Sequence, residues 1–185
     1  MATVEPKLIL LFSGKRKSGK YYVTLGPGVC CILRLSGPLK QQYAQVGISV
    51  QLSGEYEEKY RADMIQWGEK QREKDPGFFC RVAIKAAQQP IWIVSDTRHL
   101  SDLQWFWRNY PSQSRCVRVE ASEETRRERD WEFTTGAIPT PISECGLDQG
   151  VDFDWIIKNE GDGSQLEEQL ATGLLSIAKE KVKED

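Results

Sequence analysis

The run Leu8-Ile-Leu-Leu-Phe12 passes into Ser13-Gly-Lys-Arg-Lys-Ser-Gly-Lys20, and no other stretch constrains the chain as much. An unbroken apolar run bounded by small residues predicts a strand buried on both faces. Gly14 to Lys20 then reads G-x-x-x-x-G-K. This is the spacing of a loop whose main-chain N–H groups cradle phosphate while its lysine reaches the terminal phosphates. A helix starting there adds unpaired N–H donors and partial positive charge. Lys15, Arg16 and Lys17 crowd the same loop, and like charges so close repel unless an anion sits among them. Against this, Tyr21 stands where the motif places a Ser or Thr for magnesium. A solvated basic turn that matches by chance is the alternative.

A chain of 185 residues suffices for one domain with a sizeable core. Its 25 basic and 27 acidic residues leave a net charge of −2, so broad nucleic-acid binding by charge is excluded and any polyanion site is local. No apolar run approaches membrane-spanning length, and Met1 to Pro6 lack the apolar core of a signal peptide. Cys30, Cys31, Cys80, Cys116 and Cys145 form no C-x-x-C pair, which predicts reduced thiols in a cytosolic protein.

Alternating patterns predict a doubly wound parallel sheet with its ligand at the carboxyl ends of the strands. The strands are expected at Val29 to Leu35, Pro90 to Asp96, Cys116 to Val119 and Phe153 to Ile157, besides the first. Helices are expected at Glu55 to Lys74, Phe78 to Ala87, from a Ser101 cap to Asn109, Glu123 to Asp130 with Ser122 as cap, and Gln165 to Lys181. Lys20 to Thr24 should open a helix that Leu25-Gly26-Pro27-Gly28 stops early. Ser36-Gly37-Pro38 reads as a turn, Gln41 to Ser53 is ambiguous, and Thr134 to Gln149 reads as a loop.

Asp96, at the end of an apolar strand, suits a magnesium-organising acid or a plain turn former. Arg98 follows it, where a cation can contact phosphate or make a surface ion pair. Arg126 and Arg129 share a helix face, and serve either as solvated charges or as cations over a transferring phosphoryl group. His99, the lone histidine, has no evident partner at metal or triad spacing. The guanine-reading pattern of a GTPase is absent, so a small-molecule kinase fits better.

Phe12-Ser-Gly-Lys-Arg-Lys-Ser-Gly-Lys20, Leu33-Arg-Leu-Ser-Gly-Pro-Leu-Lys40, Asp63-Met-Ile, Asp75-Pro-Gly-Phe-Phe-Cys-Arg81, Val94-Ser-Asp-Thr-Arg98, Ser143-Glu-Cys-Gly-Leu-Asp148 and Asp152-Phe-Asp-Trp155 together resemble the animal-type phosphomevalonate kinases. The resemblance runs nearly end to end. It implies a single domain with a three-layer α/β fold like that of nucleoside monophosphate kinases. That fold has a mainly parallel five-stranded sheet, a substrate-binding region near residues 36–90 and a mobile lid near 122–150. The implied reaction moves the γ-phosphate of ATP, with Mg2+, onto 5-phosphomevalonate, in a cytosolic monomer that binds neither nucleic acid nor membrane. The alternatives are another small-metabolite kinase of this fold and a nucleotide-binding protein that has lost transfer.

By the same resemblance, Gly14, Lys15, Arg16, Lys17, Ser18, Gly19, Lys20 and Tyr21 line the ATP site, with Lys17, Lys20 and Arg98 central to transfer. Arg126 and Arg129 are implied as lid cations over ATP, and Gln169 as a further ATP contact. Lys40, Arg61, Arg72, Arg98, Arg118 and Asn159 are implied at the phosphorylated substrate. The chain departs from the family at Tyr21, where an acid is usual, at His99, where an arginine is usual, and at Glu57, where a lysine is usual. The helix after the loop and the region from Gln45 to Glu55 are also shortened.

Overall fold

The computed structural model describes residues 4–15, 18, 30–45, 54–129, 146–161 and 163–183. Five strands, β1 (Leu8–Ser13), β2 (Cys30–Leu33), β3 (Ile91–Val94), β4 (Ser114–Glu120) and β5 (Trp155–Lys158), form one sheet in the order β2-β3-β1-β4-β5. Each neighbouring pair is parallel. Every residue of β1 and β3 is buried, as the unbroken apolar runs predict.

Alternation along the strands sorts the core into two layers. Ile9, Leu11, Trp92 and Val94 face one side, with Phe79, Leu103 and Phe106 from the helices α3 (Phe78–Ile84) and α4 (Leu100–Asn109). Leu8, Leu10, Phe12, Ile91 and Ile93 face the other, against Leu166, Leu174 and Ala178 of the C-terminal helical segment. That segment comprises α6 (Gly163–Gln169), a π-helical stretch (Leu170–Leu174) and α7 (Leu175–Lys183). A helix over 165–181 was the expectation, and the π stretch is what the sequence did not show. The expected three-layer α/β fold is what the chain adopts.

Several local expectations are corrected. Ser36-Gly37-Pro38 is the first turn of α1 (Ser36–Gln45), not a free turn. Proline is tolerated there because its missing N–H has no partner to lose. The main-chain N–H groups of Ser36 and of Leu35 just before it donate to the distant Asp96 carboxylate at 2.9 and 2.7 Å, and that of Gly37 to the Arg34 carbonyl at 3.2 Å. Ser101 is not the cap of α4; His99 holds that position without a side-chain bond. α3 ends at Ile84 rather than Ala87. β5 starts at Trp155, because the Asp154 carboxylate is drawn aside to accept the N–H of Cys116 at 2.7 Å.

α2 (Gly54–Lys74) forms as expected. Ser122 caps α5 (Glu123–Glu128), its hydroxyl accepting the Thr125 N–H at 3.1 Å. The expected helix at 20–24 and most of the lid, residues 130–145, lie outside the described residues. No described helix is long and apolar enough to cross a membrane.

Candidate active site

The loop leaving β1 sits at the middle of the sheet's carboxyl edge, with β3 on one side and β4 on the other. Phe12 accepts the N–H of Thr97 at 3.0 Å, which ties the end of β1 to the segment carrying Asp96 and Arg98. Ser13 is in register with Arg118. Gly14 is forced by space: a Cβ there would lie 2.6 Å from the Val119 carbonyl oxygen and 2.6 Å from the Ser18 hydroxyl. The Ser18 N–H turns back to the Lys15 carbonyl at 3.2 Å. The hydroxyls of Ser13, Ser18 and Thr97 are buried without a hydrogen-bond partner among the described residues. Buried hydroxyls without partners are costly, and a polar ligand at this edge would satisfy them.

Two networks hold the loop. In the first, Lys15 Nζ lies 3.2 Å from Asp148 Oδ2, and Arg118 pairs with Asp148 Oδ1. The Arg118 guanidinium also lies 5.7 Å from the centroid of the Phe153 ring. Desolvation works against the Asp148 anion, but the Lys15 hydrogen bond and the two positive charges outweigh it and hold the carboxyl below its ordinary range. In the second, Asn159 donates from Nδ2 to the Ser18 carbonyl at 3.0 Å. Arg129 donates to the Asn159 carbonyl at 3.1 Å and to its side-chain oxygen at 3.2 Å. The next residue, Glu160, accepts from the Ser122 N–H and the Thr125 hydroxyl. The turn after β5 therefore fastens the loop to α5, which carries the buried Arg126.

A third cluster lies beyond β3. Arg72 of α2 has its Nε 3.5 Å from Asp102 Oδ1, and His99 Nε2 is 3.5 Å from Glu69 Oε1. Burial, followed by the charges of Arg72 and Arg98, lowers His99 to about 3. It is neutral at pH 7, so its contact with Glu69 is not an ion pair there.

This has a measurable consequence. A folded-state pKa below the unfolded value stabilises the fold above pH 6.5, and that stabilisation is lost as pH falls toward 3, by up to about 1.4 kcal/mol per pH unit. Asp102, raised to about 6 by burial, runs the other way between about 6 and 3.8. Replacing His99 isolates the first effect. The stability of His99→Asn relative to wild type should rise steadily between pH 6.5 and 4 in urea titrations; parallel curves would contradict it.

The structure thus brings Lys15, Ser18, Arg118, Asn159 and Arg129 to the loop's edge, with Arg98 following β3 and Arg126 buried on α5. Lys40 is half-buried on α1. Arg61 falls within α2, its side chain outside what is described. Arg16, Lys17, Gly19, Lys20 and Tyr21 also lie outside the described residues. Two assigned residues have other employment here. Asp96 caps α1 as described above. Gln169 meets the open edge of β5, accepting the Lys158 N–H and donating to the Lys158 carbonyl, each at 3.0 Å. Asp148, Asp102, Glu69 and Glu160 were not expected as partners. Each acts at 22 or more residues' distance, and such pairs leave no local pattern to read.

A family model described as phosphomevalonate kinase matches residues 12–112. The phosphomevalonate kinase of Drosophila melanogaster is 41% identical over 173 residues, covering 85% of this chain and 90% of its own. The crystal structure of TT1252 from Thermus thermophilus aligns over 94% of this chain and 98% of that one, with 14% identity and a TM-score of 0.49. These matches make the chain an ATP-dependent phosphotransferase. The chain belongs to the phosphomevalonate kinase family.

Proposed function

We propose that the protein transfers the γ-phosphate of MgATP to (R)-5-phosphomevalonate, giving 5-diphosphomevalonate and ADP in isoprenoid synthesis. The identity of 41% to a phosphomevalonate kinase, across most of both chains, carries the choice of substrate. The geometry supports the chemistry. An acceptor phosphate oxygen bonds to the γ-phosphorus while the bond to the β–γ bridging oxygen breaks and ADP departs. Donor and acceptor are both polyanions, and bringing them in line requires cations on both sides and exclusion of water.

Gly14 to Lys20 hold the nucleotide, with Lys17 and Lys20 at the transferred group and Arg126 and Arg129 above it. Arg98, Arg72, Arg61, Lys40, Arg118 and Asn159 hold the acceptor. Each oxygen of Asp96 already accepts a main-chain N–H, and no group of three His, Cys, Asp or Glu gathers among the described residues. Magnesium therefore fits as part of the nucleotide substrate, carried on its phosphates and water.

The protein acts as a cytosolic monomer, and Cys31, Cys80 and Cys116, which form no disulfide among the described residues, suit a reducing compartment. Tyr21 and the short connection between Ser13 and Cys30 favour one second reading, nucleotide binding with impaired transfer. Coupled ADP release with MgATP decides between them. The first reading expects release that depends on phosphomevalonate and is absent with mevalonate or nucleoside monophosphates. Nucleotide binding without release would establish the second.

A further inference from the structure

Asp102, in the first turn of α4, is 1% exposed, and no step of the transfer uses it. A carboxylate removed from water is costly unless charge and hydrogen bonds compensate. Its compensation is specific. Oδ1 lies 3.5 Å from Arg72 Nε and 3.9 Å from the Cys80 thiol, while Oδ2 has no hydrogen-bond partner among the described residues. Arg72 is gripped a second time, its guanidinium carbon 4.6 Å from the centroid of the Phe79 ring. The contact with Asp102 is an ion pair in which Nε makes no hydrogen bond among the described residues, the ring covers one face of the guanidinium, and the side chain is 12% exposed. An ion pair this deep adds little stability over apolar residues of the same volume. What it does provide is a cation held in one orientation, between α2, α3 and α4 and next to the segment that carries Arg98.

We propose that Asp102 is a positioning residue for the acceptor: it holds Arg72 so that the guanidinium's remaining N–H groups meet the acceptor's phosphate. This rests on Arg72 being an acceptor cation, as proposed above. The titratable and charged groups around the pair are Glu69 from α2, Cys80 and Arg81 from α3, and Asp96, Arg98 and His99 from the segment after β3. Burial raises Asp102 to about 6 against the pull of Arg72. Below that pH the carboxyl is protonated, its hold on Arg72 weakens, and KM for the acceptor rises. Asp102→Asn resembles the protonated form at every pH. The acceptor's own second ionisation, near pH 6, is common to both proteins and cancels in their ratio.

The test is steady-state kinetics of the full chain from pH 8 to 5.5 with MgATP and phosphomevalonate. Wild type, Asp102→Asn, Arg72→Gln and the double variant are compared. Asp102→Asn should raise KM for phosphomevalonate about tenfold at pH 8, with kcat and KM for ATP changed less than about twofold. The ratio to wild type should shrink toward one below pH 6. In the Arg72→Gln background the Asp102 change should have no further effect. A ratio constant with pH, a fall in kcat alone, or effects that simply add would overturn the proposal. If Asp102→Asn does not fold, the comparison is the ratio of acceptor KM in Arg72→Gln to that in wild type: a ratio that shrinks below pH 6 supports the proposal, and a ratio constant with pH overturns it. Absence of wild-type turnover would defeat the functional reading itself, whereas wild-type turnover together with an unchanged KM for phosphomevalonate in Asp102→Asn defeats only this assignment.

Discussion

Lys20→Met is expected to lower kcat by about 10³-fold or more while leaving the melting temperature close to wild type. The lysine closes the G-x-x-x-x-G-K pattern, and in the proposed reaction its ammonium group is the charge that follows the γ-phosphate as it leaves ADP. Methionine keeps the length and apolar stem but removes that charge. The core does not depend on it: β1 is buried against β3, β4 and the helices on both faces through Leu8 to Phe12. Near-normal turnover by a folded Lys20→Met protein would remove the loop from the mechanism.

Gly14→Ala should have the second largest effect. The added carbon would meet the Val119 carbonyl oxygen at 2.6 Å, and a main-chain atom in the central sheet cannot move aside cheaply. The loop must yield instead, and it pulls on Ser18, whose carbonyl is tied through Asn159 to Arg129. Overpacking of this kind costs about 1–3 kcal/mol in stability. A displacement of about 1 Å at the phosphate nest costs about 10²-fold in rate. Kinetics and thermal unfolding on one preparation check both. Wild-type rate at wild-type stability would show that the loop has room the structure denies it.

The contrast between these two residues shows what a sequence exposes. The apolar run and the spacing of glycines and lysine are local, so β1 and its loop are legible at once. β3 is legible for the same reason, since burial on both faces leaves an unbroken Ile-Trp-Ile-Val run. The first turn of α1 was not, because Ser36-Gly37-Pro38 carries turn chemistry. Its cap comes from Asp96, 60 residues further on. The partners of the site's cations are equally remote. Asp148 draws Lys15 and Arg118 together, Asp102 holds Arg72, and Glu160 anchors α5 to the end of β5. None of these pairings has a periodicity or a spacing, since each is created by strand order and register. Resemblance to a family supplied the cations, and the fold alone supplies the carboxylates that hold them.

Phosphorus NMR of a single reaction mixture tests the central claim most directly. With MgATP, phosphomevalonate and catalytic protein, the ATP γ-phosphate and phosphomonoester signals should fall together, and ADP and a new diphosphate pair should grow in equal amounts. ATP converted only to ADP and inorganic phosphate, or a spectrum that stays unchanged, would contradict the account.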